Sequence, residues 1–110
     1  MARGGYPMGG ANMQQLMRQA QKMQADLQKK QAELNEREFT ASVGGGMVTV
    51  TAYGTKQIKS IELNPACVDP DDVEMLQDLL VAGVNEAIRQ AGEAVDREMG
   101  KITGGVGLGF

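Results

Sequence analysis

The chain contains no histidine and no tryptophan, one cysteine, three prolines, and only two phenylalanines and two tyrosines. Each scarcity excludes something. Without histidine the commonest general base is missing, and a zinc site of the usual kind has no ligand set. Cys67 stands alone, so no intrachain disulfide can form, and it reads as a small buried apolar residue ahead of a second helix. No nucleophile elbow or Walker lysine is present, and Gly44-Gly45-Gly46 lacks the Gly-Lys-Ser/Thr of a phosphate loop. Gly105-x-Gly107-x-Gly109 has no helix after it on which a pyrophosphate could sit. Carboxylate pairs such as Asp71-Asp72 are better explained as helix-start charges. The chain therefore reads as a non-enzyme: no catalytic residue, metal ligand, cofactor or small-molecule substrate is expected.

Long apolar runs are missing too. The longest, Leu79–Val84, falls far short of the ~20 residues a membrane span needs. Arg3 and the glycines after it lead into no apolar signal region. A cytoplasmic location without a membrane partner is expected. The 110 residues bound one small domain whose apolar content leans on Met, Ala, Val and Leu. That is a thin supply for a self-sufficient core, and oligomerisation is the usual remedy.

What is present is organised around Met47–Leu63, MVTVTAYGTKQIKSIEL. Val48, Val50 and Ala52 alternate with polar or larger neighbours at the period of a half-buried strand. Gly54-Thr55 offers a two-residue type II′ turn, and Lys56–Leu63 forms the next strand. Phe39–Val43, followed by the triple glycine, adds a first strand, which makes a three-stranded antiparallel meander. One parity conflict arises: if Ile61 and Leu63 point inward, Lys59 shares their face and Ile58 does not. Either a bulge sits near Lys59-Ser60 or Lys59 projects past the edge of the core.

Helical patterns flank the meander, so the fold class is α+β, helix–meander–helix. Helix one is expected over about residues 12–37, with Asn12 as N-cap and residues 1–11 as a flexible glycine-rich leader. Helix two is expected over about 70–99, with Asp69 as N-cap, Pro70 at the first helical position and Gly100 as terminator. Residues 100–110 then read as a flexible glycine-rich tail. Gly83 and Gly92 inside helix two mark close approach to another element. Met13, Leu16, Met23 and Leu27 on helix one, Val48, Val50 and Ile61 in the meander, and Leu80, Val84 and Ile88 on helix two are the expected core or dimer seam. The methionines of helix one, Met13, Met17 and Met23, fit either an adaptable peptide groove or, more simply, that seam.

The charge is asymmetric. Residues 1–60 carry eight Lys/Arg against four Asp/Glu (8 − 4 = +4), and residues 61–110 carry three against ten (3 − 10 = −7). A basic front half points to a polyanion partner. Arg18, Lys22 and Lys29 fall within about 40° of one another on helix one, nearly opposite its apolar seam. Such a stripe is also what a solvated helix face looks like. On helix two Arg89, Glu93 and Arg97 stand four apart, which gives both arginines a carboxylate neighbour.

Leu16-Met17-Arg18-Gln19-Ala20-Gln21-Lys22-Met23-Gln24, Gly46-Met47-Val48-Thr49-Val50-Thr51, Ile61-Glu62-Leu63-Asn64-Pro65 and Asp72-Val73-Glu74-Met75-Leu76-Gln77-Asp78-Leu79 recur in the same order and spacing in one family. Together with Asn85-Glu86-Ala87 and the glycine-rich ends, they make the chain resemble the YbaB/EbfC nucleoid-associated proteins of bacteria over about residues 10–105. The resemblance implies a homodimer in which the sheets meet and the helices project as two tweezer-like arms. It also implies double-stranded DNA as partner, and a nucleoid-associated place in the cytoplasm. Arg18, Lys22 and Lys29, with Lys56 and Lys59 of the hairpin, are then the expected phosphate contacts. No helix-turn-helix, zinc finger or basic zipper is present for base readout. The alternative is a protein-interaction module, in which acidic helix two and Met-rich helix one hold a replication, recombination or transcription partner.

Overall fold

A computed structural model describes residues 7–103. Helix α1 spans Pro7–Glu36, strands β1, β2 and β3 span Glu38–Val43, Val48–Tyr53 and Ile58–Leu63, a 3-10 turn covers Pro65–Cys67, and helix α2 spans Val73–Thr103. Of the flexible ends expected at residues 1–11 and 100–110, residues 1–6 and 104–110 lie outside the described residues.

The sheet is an antiparallel meander in the order β1-β2-β3. Gly44, Gly45 and Gly46 turn β1 into β2 with φ of 64°, 67° and 92°, a run of left-handed backbone that only glycine adopts cheaply. Val50 pairs with Ile61 and Val48 with Leu63, but Ala52 pairs with Ile58, so Lys59 is the extra residue of a bulge. The bulge resolves the parity conflict. Directly opposed residues share a face, so Ile58, Ile61 and Leu63 all lie on the side of Val48, Val50 and Ala52.

That side is the core. Val48, Val50 and Ala52 are fully buried, with Ala41 of β1 and Cys67 beside them. The small residues Gly83, Ala87, Ala91 and Ala94 of α2 are buried as well. A Cβ on Gly83 would stand 2.9 Å from Val50 Cγ2 and 3.3 Å from Val48 Cγ1, so α2 rides unusually close to the sheet. α2 covers β1 and β2. It does not cover β3, where Ile61 and Leu63 remain 42% and 41% exposed.

Four local expectations need correction. The β2–β3 turn is not type II′. Lys56 N–H donates to Tyr53 C=O at 2.8 Å and Tyr53 N–H to Gln57 C=O at 2.9 Å. The left-handed residue is Lys56 (φ 72°), not Gly54. This is a three-residue loop whose type I turn ends in a left-handed residue. Glycine is required at 54 for a different reason: a Cβ there would lie 2.0 Å from the Leu34 carbonyl oxygen, where α1 ends against the hairpin.

The other three concern helix ends. α1 begins at Pro7, inside the stretch read as leader, because proline suits a first helical turn. α2 begins three residues later than expected. Asp69 C=O accepts from Asp72 N–H and Asp69 Oδ1 from Asp71 N–H, each at 2.9 Å, which puts Pro70 in a turn. Asp72 Oδ1 then caps the helix by accepting from Met75 N–H at 3.2 Å. Gly100 does not terminate α2, which runs on to Thr103. Val73, at the helix start, is consequently exposed.

Candidate nucleic-acid interface

α1 is the platform. Its buried seam is Leu34, with Met23, Leu27 and Lys30 half-buried above it, and this side faces α2. Arg18, Lys22 and Lys29 are exposed and lie about 140° around the helix from that seam. Among the described residues none of the three forms an ion pair, whereas Lys30 pairs with Glu33 at 3.5 Å and Glu98 at 3.9 Å. The arm also projects. The molecule measures 87 × 25 × 16 Å with a radius of gyration of 23.0 Å, against about 13 Å for a compact chain of this length.

The five expected phosphate contacts fall into two groups. Gly54 docks the hairpin tip against Leu34, so Lys56 and Lys59 sit at the base of the arm. Lys29 stands about 8 Å up from Leu34 and Arg18 about 24 Å. Lys56 extends over α2, its Cε and Nζ 3.3 and 3.6 Å from the place a Cβ on Gly92 would take. Gly92 is thereby explained as the site where a lysine stem crosses the helix. Lys59 Nζ donates to Glu38 Oε2 at 2.7 Å. This hydrogen bond, reinforced by the carboxylate's charge, holds the Lys59 ammonium above its usual pKa and occupies it with a protein partner.

Two acidic residues outside the expected set shape this surface. Asp26 lines a shallow hollow of about 310 Å³ with Gln19, Lys22, Met23 and Ile102. It stands four residues after Lys22 and three before Lys29, a spacing that is visible in the sequence. Glu38 is 21 residues from Lys59, and only the sheet order and the bulge bring them together.

The residues expected in the core or dimer seam are likewise divided. Val48 and Val50 are buried, and Met23, Leu27, Leu80, Val84 and Ile88 are half-buried. Ile61 is exposed, and Met13 and Leu16 are 59% and 60% exposed in the single chain.

On α2 three carboxylates, Glu86, Glu93 and Glu98, have cationic partners. Arg89 Nε donates to Glu86 Oε2 at 2.9 Å and Nη1 donates to Glu93. The guanidinium holds the Glu86 carboxyl below the usual carboxylate range. Glu93 was expected to serve Arg97 too, but among the described residues Arg97 forms no ion pair. Lys101 Nζ donates to Glu98 Oε2 at 2.9 Å and lowers that carboxyl in the same way. No helix of the described residues is long and apolar enough to cross a membrane.

The YbaB/EbfC DNA-binding family matches residues 8–106. A nucleoid-associated protein of Acetivibrio thermocellus is 58% identical over 107 residues, covering 97% of this chain and 95% of its own. One of Alkaliphilus metalliredigens is 57% identical over 110 residues, covering 98% and 96%. Among solved structures, an uncharacterized protein of Helicobacter pylori superposes with a TM-score of 0.59 at 19% identity, over 71% of this chain and 90% of that one. That likeness concerns the fold. The family match and the two relatives agree over nearly the whole length, and the chain belongs to the YbaB/EbfC DNA-binding family.

Proposed function

We propose that this protein is a nucleoid-associated homodimer that grips double-stranded DNA through phosphate contacts, with little sequence preference, and so helps organise, protect or regulate the chromosome. The observation that carries the reading is the Arg18, Lys22 and Lys29 stripe, exposed on a projecting helix and without ion-pair partners among the described residues. Phosphate contacts fix position without reading bases. The names of the two relatives support the nucleoid as the place of action. Lys56 and Lys59 act at the base of the arm, Lys59 once DNA competes with Glu38.

Two copies join through β3. It is an open sheet edge, and Ile61 and Leu63 on its core-facing side lack a cover. Edge strands of this kind pair readily with another chain. An adaptor role through α2 would draw on the same uncovered apolar surface, and the homodimer accounts for it without a further partner.

A salt titration of DNA binding tests the reading. Exchanging Arg18 and Lys22 for Glu should weaken binding and flatten the slope of log K against log salt by about 0.9 for each phosphate no longer engaged. An unchanged affinity and slope would place the site elsewhere. Binding that appears only when a second protein is added would favour the adaptor.

A further inference from the structure

The outward side of α1 is divided lengthwise. Ala25 stands about 180° around the helix from Leu34, the centre of its buried seam. Arg18, Lys22 and Lys29 lie on one side of Ala25, at about 20–60°, and Gln14, Gln21 and Gln28 lie at about the same angles on the other. All seven residues are exposed. Among the described residues none of these three amides forms a side-chain hydrogen bond, whereas Gln31, lower on the arm, donates to Asn35 Oδ1 at 2.7 Å. The cation row suits phosphates. The amide row does not match them as well, because a phosphate oxygen only accepts and each glutamine brings a carbonyl acceptor beside its two donors.

Base edges use both. In the major groove every base pair shows at least one donor and one acceptor: cytosine N4 with guanine N7 and O6, or adenine N6 and N7 with thymine O4. A glutamine amide that can turn either way finds a partner at any of them, which agrees with little sequence preference. The dimensions agree as well. An α-helix with its side chains is about 10–12 Å across. The major groove of B-form DNA, about 12 Å wide, admits one, and the minor groove, about 6 Å wide, does not. Ala25 has no long side chain to hold the helix away from the groove.

Resting on the DNA-binding reading above, we propose that α1 enters the major groove of B-form DNA, with Arg18, Lys22 and Lys29 on the phosphates of one wall and Gln14, Gln21 and Gln28 over the base edges. Double-stranded RNA is then excluded by shape. It carries phosphates as DNA does, but its A-form major groove is deep and too narrow for side chains to read. The protein accordingly selects the DNA duplex over the RNA duplex without reading a particular sequence.

Fluorescence anisotropy with the full chain tests this, using a DNA duplex and an RNA duplex of the same length and sequence at one salt concentration. Binding to DNA should be many-fold tighter. DNA whose cytosines carry glucosylated hydroxymethyl groups, which fill the major groove, should bind many-fold more weakly than plain DNA. Netropsin, which fills the minor groove, should leave the affinity unchanged. Ala25→Leu adds bulk without charge at an exposed helical position. It should weaken DNA binding several-fold with the slope of log K against log salt and the far-UV circular dichroism unchanged. Equal affinity for the two duplexes, indifference to glucosylation or to Ala25→Leu, or displacement by netropsin would overturn the groove assignment and leave the phosphate reading standing. Failure to bind either duplex in dilute salt would refute both.

Discussion

Gly54 is the point at which the arm is joined to the sheet, and its replacement by alanine measures that junction. The new Cβ would stand 2.0 Å from the Leu34 carbonyl oxygen and 2.6 Å from its carbon. Both are backbone atoms, so no rotamer change relieves the contact. Reaching even 3.0 Å from the oxygen requires a movement of 3.0 − 2.0 = 1.0 Å between hairpin and helix. Two hydrogen bonds cross the same spot, Gly54 N–H to Arg37 C=O at 3.2 Å and Arg37 N–H to Leu34 C=O at 3.1 Å. Overpacking costs about 1–3 kcal/mol and two weakened hydrogen bonds about 1–3 more. The stiffer unfolded chain returns less than about 1 kcal/mol. The expected loss is about 1–5 kcal/mol, or at least about 4 °C in melting temperature for a domain of this size. Thermal denaturation followed by circular dichroism, at one fixed protomer concentration, reads it out. Gly92→Ala is the internal control. Its Cβ meets only the flexible end of Lys56, at 3.3 Å, while the helix gains up to about 1 kcal/mol of propensity. A Gly54→Ala protein melting within about 2 °C of the parent would refute the junction as described.

Asp26→Asn should tighten DNA binding and leave stability nearly unchanged, since Asp26 is exposed beside Lys22; a gel-shift titration at fixed salt checks it. The parent is expected to sediment as a dimer, and Ile61→Lys with Leu63→Lys should leave a folded chain of 11.7 kDa, because the two positions are exposed in the single chain. The pH dependence arises from depressed carboxyls: Glu86, held low by Arg89, and Glu98, held low by Lys101. A lowered folded-state pKa contributes stability that is complete above the ordinary carboxylate value and is lost as pH falls through the lowered one. Urea midpoints should therefore hold steady from neutral pH to about pH 5 and fall below it, and Glu86→Gln should flatten part of that fall.

The strand alternation and the two helical periods carried the α+β meander, and they located its one irregularity. A lysine on the inward parity does not fit a core of valine and isoleucine, so either a bulge near Lys59-Ser60 or a lysine projecting past the core edge was required, and the sheet takes the first, with Lys59 as the bulged residue. Gly83 and Gly92 were legible as close approaches because glycine inside a helix costs about 1 kcal/mol without a packing reason. Gly54 misleads for an instructive cause. A glycine in a hairpin loop usually signals positive φ, but here the demand comes from the Leu34 carbonyl, on an element 20 residues earlier in the chain. The displaced start of α2 has a local cause. Asp69-Pro70 suits a helix cap and a turn equally, and Asp72 offers a second cap three residues on. The hold of Glu38 on Lys59 depends on sheet order and could not be read from spacing.

A chain of net charge −3 is an unexpected ligand for a polyanion until the positions of its charges are considered. The acidic cluster Asp69, Asp71, Asp72, Glu74 and Asp78 lies at the start of α2, while α1 meets that helix at Glu98 and beyond. Twenty residues of helix between Asp78 and Glu98 amount to about 30 Å, more than three screening lengths of about 8 Å at physiological salt. Of the nearer carboxylates, Glu86 and Glu93 are paired with Arg89 and Glu98 with Lys101, which leaves Asp96 without an ion pair among the described residues. α1 itself carries Arg18, Lys22, Lys29 and Lys30 against Asp26, Glu33 and Glu36 (4 − 3 = +1), and its outer half carries Arg18 and Lys22 against Asp26 alone, so the local balance along the arm is positive. The fold separates the two signs along one axis, so the acidic half can keep the molecule soluble and unaggregated without cancelling the charge of the arm.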